Sequence, residues 1–301
     1  MKRVLITGAQ GFIGRHIMQA LNKKSFEIHC VTRELNPTPV DSDVIWHSAD
    51  LLDKSECYEL FSTVEPTYLL HLAWYMVPGK YSTSWRNVDW LNASLLLLRY
   101  FQKFSGERAT FAGTVSEYDM RYGFCSENVT PAQPQTLYGI CKDSLRRVAE
   151  LACKQNGISL SWARIFFVYG QAEHPARLVS SVIRSLLQNE VAKVSHGNQV
   201  RDYLYSEDVA SALVAIMEKD VTGIINVGSG KPITIRELVD KIAWKINKPH
   251  LIRYGAISSP KEEPPFVVAD TRRLTSQIGL IPKHTLESGL DKTIAWWRER
   301  L

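Results

Sequence analysis

The sequence predicts a doubly wound α/β fold, a parallel sheet with helices on both faces, followed by a smaller α/β unit. Three observations predict it. A strand, a glycine-punctuated turn and a helix open the chain; strand and helix patterns then alternate up to Gly170; and past Gly170 that rhythm loosens. On this basis residues 1–170 form the wound domain, with 202–230 returning to it, while 171–201 and 231–301 form the smaller domain.

Val4, Leu5, Ile6 and Thr7 are apolar or β-branched, the mark of a buried strand. Gly8, Gly11 and Gly14 follow, before an apolar-periodic helix with Ile13, Ile17 and Leu21. In that setting Gly8 permits a sharp turn, Gly11 a close backbone approach to a pyrophosphate, and Gly14 tight packing of helix on strand. The helix N-terminus offers unpaired N–H groups to the anion. A dinucleotide site is expected here, which makes the wound domain a Rossmann domain. Strands follow at 26–32 and 44–48, then a helix opened by Asp53 with Glu56 at capping-box spacing, and a strand at 67–73. A long helix covers 88–104, a strand 109–112, a helix 137–155 and a strand 159–164.

Beyond Gly170 the pattern gives a helix near 177–187 and a short strand near 191–195. Ser206 is expected to cap a helix with Glu207 and Asp208 in its first turn, where negative charge suits the dipole. Residues 223–230 read as a strand and turn. Thr234 and Glu237 form a second capping box, opening a helix with Ile235, Leu238, Val239 and Ile242 on its apolar face. The proline-rich, charged segment 258–265 reads as a loop, and 285–298 as a closing amphipathic helix.

With 301 residues, 45% hydrophobic and 22% charged, the chain has material for a full core. The net charge of +5 is scattered, with no basic run longer than three. That argues against a nucleic-acid partner and suits an anionic small molecule. Cys30, Cys57, Cys125, Cys141 and Cys153 form no C-x-x-C pair, and an odd number fits a reducing compartment; no metal site is expected. The apolar run after Lys2 and Arg3 is too short for a signal peptide, and no stretch approaches the length of a membrane span. A cytoplasmic location with no membrane partner is expected.

Tyr138 and Lys142 fall one turn apart on the 137–155 helix, so an ammonium can sit near a phenol. A free tyrosine titrates near ~10; a neighbouring cation and a positively charged cofactor ring lower that toward the working pH, making a general acid or base. The pair follows the fifth strand pattern of a wound chain, where ligands gather at the carboxyl ends of strands. His71, on a buried-strand pattern, reads as a structural histidine, and Cys141 as a packed small residue. His174 and Arg177, just past the sixth strand, suit substrate contact or capping and surface roles equally.

Taken in order, the landmarks are TGAQGFIG (7–14), Asp50-Leu51, HLAW (71–74), GTVSEYD (113–119), YGICK (138–142), ARIFFVYG (163–170), RDYLYSEDVA (201–210), INVGSG (225–230) and VADTRRL (268–274). Across essentially its whole length the chain resembles an extended short-chain dehydrogenase/reductase of the nucleotide-sugar epimerase/dehydratase kind. The resemblance implies that Tyr138 is the catalytic acid/base, that Lys142 binds the nicotinamide ribose and depresses the tyrosine pKa, and that the Thr114 hydroxyl meets the substrate oxygen. It further implies that Gly8, Gly11, Phe12, Ile13 and Gly14 hold the pyrophosphate, Asp50 and Leu51 the adenine, and Leu72, Ala73 and Trp74 the cofactor's middle. Arg201 matches an arginine that meets the diphosphate of a nucleotide-sugar, a job suited to a guanidinium fork; a surface pairing with Glu207 or Asp208 is the alternative. The run 95–98 with Tyr100 and Phe101 makes the long helix apolar on more than one face, which in this family points to a homodimer.

Three departures bear on the reaction. Where NAD-preferring members end the second strand on an acid for the ribose, this chain has Val31-Thr32-Arg33, so Arg33 suggests NADP, with NAD the alternative. Family dehydratases follow the threonine with Asp-Glu; here Thr114 is followed by Val115 and Ser116, and Glu117 comes one step late. HLAW replaces the commoner HLAA, so Trp74 either narrows the sugar pocket or stacks in the core. The favoured function is NADPH-dependent reduction of the 4-keto group of a nucleotide-diphosphate 4-keto-6-deoxysugar, a step of deoxysugar biosynthesis, with Tyr138 as proton donor. An NAD-dependent nucleotide-sugar 4-epimerase is the alternative and a dehydratase ranks third. A non-catalytic dinucleotide sensor would need none of Thr114, Tyr138 and Lys142.

Overall fold

The computed structural model describes residues 2–21, 25–34, 43–259 and 263–301; within the expected 258–265 loop, residues 260–262 lie outside the described residues. The chain opens with β1 (Lys2–Thr7), α1 (Gly14–Ala20), β2 (Phe26–Thr32), β3 (Val44–Ser48), α2 (Lys54–Val64), β4 (Tyr68–His71), α3 (Arg86–Lys103) and β5 (Arg108–Thr114). It continues through β6 (Phe124–Cys125), α4 (Leu137–Gln155), β7 (Ser159–Ile165), β8 (Phe167–Tyr169), α5 (Leu178–Leu187), β9 (Ala192–Lys193), β10 (Val200–Tyr205), α6 (Ser206–Glu218) and β11 (Gly223–Val227). Last come β12 (Pro232–Thr234), α7 (Ile235–Ile246), β13 (Ile252–Arg253), β14 (Phe266–Ala269), α8 (Arg272–Ser276) and α9 (Leu286–Arg298).

Seven strands form one parallel sheet in the order β11-β7-β5-β4-β1-β2-β3. The chain winds outward from β1 to β3, then sets β4 on the other side of β1 and winds the opposite way. Strand order therefore reverses between β1 and β4, and the crevice beyond their carboxyl ends is where such sheets take ligands. β1 is apolar from Val4 to Ile6, the stretch where both its faces are covered. Val4 and Ile6 pack with Ile17 of α1 and Val209 and Leu213 of α6, while Leu5 packs with Phe61 of α2, Phe101 of α3 and Leu145 of α4.

Of the three helix starts expected from cap residues, two differ from the expected pattern. Asp53 caps α2 by accepting the Ser55 and Glu56 amides, but the Glu56 carboxylate takes the Asp50 amide at 2.7 Å and so completes no box. Ser206 lies inside the first turn of α6, after Tyr205 at the cap, and its Oγ sits 3.1 Å from His16 Nε2, tying α6 to α1. The Thr234–Glu237 box on α7 is complete.

A second sheet runs β12-β10-β14-β6, with β8 on β10. Its helices enclose Val179 and Ile183 of α5, Leu238 and Ile242 of α7, and Leu290 and Ile294 of α9. β6 reaches this sheet from the first half of the chain, and β11 joins the large sheet from the second. Among the described residues no helix is long and apolar enough to cross a membrane.

Candidate active site

The crevice begins where β1 and β4 end side by side. The Thr7 hydroxyl lies 2.7 Å from His71 Nδ1 and accepts the amides of Leu72 (3.1 Å) and Ala73 (3.2 Å). His71 Nε2 is 2.9 Å from Ser94 Oγ. Burial, with the charge of Lys142, holds this imidazole down at about 3, so His71 is a neutral, fully partnered strut between β1, β4 and α3. Gly8 has φ +72°, and a Cβ there would stand 2.8 Å from the Ala73 nitrogen, so the turn admits only glycine. α1 has no side-chain cap, and the Phe12 and Ile13 amides make no hydrogen bond among the described residues. Free donors at an uncapped helix start are what a pyrophosphate needs, so these residues fit a bound dinucleotide.

Asp50, just past β3, accepts the Leu52 amide at 3.0 Å and shapes the turn that holds the buried Leu51. Arg33 is exposed at the end of β2, with no hydrogen bond or ion pair among the described residues. Beside it stands Glu34, which sequence reasoning passed over. Its amide donates to Thr32 Oγ1 (3.1 Å), and its carboxylate accepts from Gln10 Nε2 (3.1 Å), inside the glycine turn. The available signal was an acid one residue beyond the arginine at the strand end.

At the reacting end, Thr114 closes β5 while Tyr138 and Lys142 occupy the start of α4, which Thr136 caps by accepting the Gly139 amide at 3.1 Å. Tyr138 is buried, its ring edge-on to Tyr81 (5.1 Å between centroids) and Trp74 (6.4 Å). Burial pushes its phenol well above the ordinary tyrosine value, and the Thr114 hydroxyl and Arg177 pull the other way. Lys142 Nζ donates to the Ala112 carbonyl at 2.9 Å and stands 3.8 Å from the centroid of the Trp74 ring. Burial pulls this ammonium below its ordinary value, opposed by the Glu117 carboxylate. The structure thus brings Thr114, Tyr138, Lys142 and Trp74 together. One-turn spacing puts the lysine on the tyrosine's side of α4, but β5 and the indole, not the phenol, receive its charge.

Glu117 is committed to the core. It is fully buried, and accepts from the Thr114 amide (2.8 Å), Trp162 Nε1 (2.9 Å) and Arg164 Nε (2.7 Å). It completes the capping box of the 3₁₀ turn Val115–Glu117 and neutralises Arg164, which is buried as well. The departure noted after Thr114 is therefore a structural anchor.

On the side of β10, Arg201 is buried and donates to Glu263 Oε1 (2.8 Å) and to the Val200 carbonyl (2.9 Å). Its partner is neither Glu207 nor Asp208; those α6 acids pair with Lys292 and His284. The Arg177 guanidinium lies 5.1 Å from the Tyr81 ring centroid. Both arginines act on Tyr203, and Arg177 alone on Tyr138 as well. The neighbouring Glu173 accepts from the Ser180 hydroxyl at 2.8 Å, and burial pushes its carboxyl up to about 7.

The sequence profile of the NAD dependent epimerase/dehydratase family matches residues 4–228. The chain belongs to that family. This epimerase/dehydratase chain is 29% identical over 318 residues to UDP-glucuronic acid decarboxylase 1 of Xenopus tropicalis, covering 100% of its own length and 73% of the relative's. It is 24% identical over 313 residues to UDP-glucuronate 4-epimerase of Thermodesulfobacterium geofontis (strain OPF15), covering 99% and 96%. The solved structure of MoeE5 in complex with UDP-glucose and NAD matches at a TM-score of 0.84 and 27% identity, over 99% of each chain. The two curated relatives are named for different outcomes on one kind of substrate. Membership therefore gives the reaction class, and the outcome has to be argued from this chain's residues.

Proposed function

We propose that this protein reduces the 4-keto group of a nucleotide-diphosphate-linked 4-keto-6-deoxysugar at the expense of NADPH. The observation that carries it is Arg33, exposed just past β2 with no hydrogen bond or ion pair among the described residues and so free to meet a ribose 2′-phosphate. Tyr138, buried beside the Thr114 hydroxyl, gives a proton to the oxygen gaining negative charge at C4. The bound cofactor supplies hydride to that carbon. Thr114 orients the substrate oxygen, and Lys142 holds the nicotinamide ribose. Gly8, Gly11, Phe12, Ile13 and Gly14 hold the pyrophosphate, Asp50 and Leu51 the adenine, and Leu72, Ala73 and Trp74 the middle of the cofactor. Trp74 also borders the sugar, and Arg201 would exchange Glu263 for the diphosphate when the substrate binds. The commitment of Glu117 to Arg164 and Trp162 speaks against a dehydratase. The enzyme works as a homodimer in the cytoplasm, where its five buried, unpaired cysteines stay reduced.

A second reading, a 4-epimerase retaining NAD, has its own observation: Glu34, held to Gln10 of the glycine turn, is a carboxylate available to ribose hydroxyls. Cofactor dissociation constants separate the two. A charge-assisted contact is worth roughly 1.5–3 kcal/mol, about ten- to a hundredfold in affinity, so Arg33→Ala should weaken NADP binding by that factor and leave NAD binding nearly unchanged. Equal losses for both cofactors, or none, together with a selective loss of NAD in Glu34→Ala, would move the epimerase to first place.

A further inference from the structure

Lys142 is 3% exposed, a costly position for an ammonium with three N–H donors. Around it the described residues provide one carbonyl, that of Ala112 at 2.9 Å, and one aromatic face, the Trp74 indole at 3.8 Å. The indole is held in place. Its Nε1–H donates to Asn87 Oδ1 at 2.9 Å, and Asn87, fully buried in the first turn of α3, in turn donates to the carbonyls of Tyr81 (2.6 Å) and Ser84 (2.8 Å). Trp90 lies 6.4 Å from the same indole at an interplanar angle of 32°, and Tyr138 meets it edge-on.

We propose that Trp74 is a positioning residue for the reaction: its indole face, fixed by Asn87, keeps the buried Lys142 ammonium charged and held at the end of β5, one turn along α4 from Tyr138. The charged and titratable groups bearing on Lys142 leave room for this role. Glu117 favours the cation, but Arg164 at 2.7 Å already neutralises that carboxylate. His71 is neutral, and Tyr138 is protonated. An ammonium over the face of a tryptophan, the best of the aromatic partners, is stabilised most where water is excluded. An alkyl side chain at position 74 would fill the space and withdraw that support.

The inference rests on the reading that Lys142 serves the reaction, but its test can be made without turnover. In cofactor-free protein labelled with ¹³C at lysine Cε, the Lys142 signal is identified by its absence from Lys142→Met and titrated in the wild type, Trp74→Phe and Trp74→Leu. The expected result is an upfield Lys142 signal in the wild type that is lost in Trp74→Leu. The titration midpoint should fall by roughly half to one pH unit in Trp74→Leu, with Trp74→Phe between. The alkaline limb of the pH–turnover profile should move down by the same amount, whereas a purely structural role would lower turnover at every pH and leave the limb in place. Equal midpoints in all three proteins would overturn the proposal, and if Trp74→Leu does not fold, Trp74→Phe against the wild type decides it. Tyr138→Phe separates this test from the reaction itself, since loss of the proton donor should cost ~10²- to 10⁴-fold in turnover. A shifted midpoint with full Tyr138→Phe activity would sink the reductase and spare Trp74; an inactive Tyr138→Phe with unmoved midpoints would do the reverse.

Discussion

Arg164 can carry its charge in the core because Glu117 lies 2.7 Å from its Nε, and Glu117 is tolerated there because Trp162 and the Thr114 amide supply its remaining donors. The margin is thin: Arg164 Nη2 is buried with no hydrogen-bond partner among the described residues. Taking one charge from such a pair costs about 3–5 kcal/mol, and Arg164 would keep only the longer contact of its Nη2 with Asp143 Oδ1 at 3.9 Å. Glu117→Gln should therefore lower the unfolding free energy by about 3 kcal/mol or more, read from urea unfolding at fixed m. Because the same carboxylate fixes the Thr114 amide, turnover should fall as well. A Glu117→Gln protein as stable as the wild type would mean that the pair contributes no net stability. This residue also marks where the sequence was hard to read. Its place three positions after Thr114 is the spacing of a capping box, but its partners Trp162 and Arg164 lie more than forty residues away. Glu34 was hidden differently, one position past Arg33, whose positive charge points to a ribose phosphate.

Among the elements, α4 is where packing and chemistry meet. Gly139 sits between Tyr138 and Lys142 in its first turn, and a Cβ there would collide with the Ser116 carbonyl and stand 2.8 Å from Pro134 Cβ. Glycine to alanine in a helix ordinarily gains about 1 kcal/mol. Here the sign should invert, since α4 would have to lift off the turn after Thr114 and carry Tyr138 with it. Gly139→Ala is thus expected to melt lower than the wild type and to turn over more slowly; a higher melting temperature with full activity would refute the close approach. The element pattern was legible because strands buried on both faces read as continuous apolar runs and helices as one-sided stripes, signals confined to ten or twenty neighbouring residues. Caps were less legible where a distant group competes for the hydroxyl. Ser206-Glu207-Asp208 reads as a cap followed by two acids, yet the Ser206 hydroxyl goes to His16, 190 residues earlier. The Arg201–Glu263 pair, 62 residues apart, was out of reach for the same reason.

For the molecule as a whole, the outer face of α4 raises the question of assembly. Ile140, Val148 and Leu151 are 48%, 50% and 59% exposed, at spacings that place them along one side of the helix. Leu91 and Leu95 of the adjacent α3 are only partly buried. Three apolar side chains half out of water on one stripe are more than scattered surface apolarity, and burying them against a second copy would also cover the back of the helix that carries Tyr138 and Lys142. The dimer proposed above should therefore form through α3 and α4. Light scattering should give twice the 34.2 kDa chain mass for the wild type and the single mass for a Val148→Asp, Leu151→Asp protein. The two carboxylates of each copy would meet those of the other across a two-fold interface, where charges buried without partners are not tolerated. Thermal unfolding adds an independent check. If folding and association are linked, the wild-type melting temperature should rise with protein concentration, while that of the double variant should not. A wild type that is monomeric at micromolar concentration, or a double variant that keeps the doubled mass, would rule out this face as the interface.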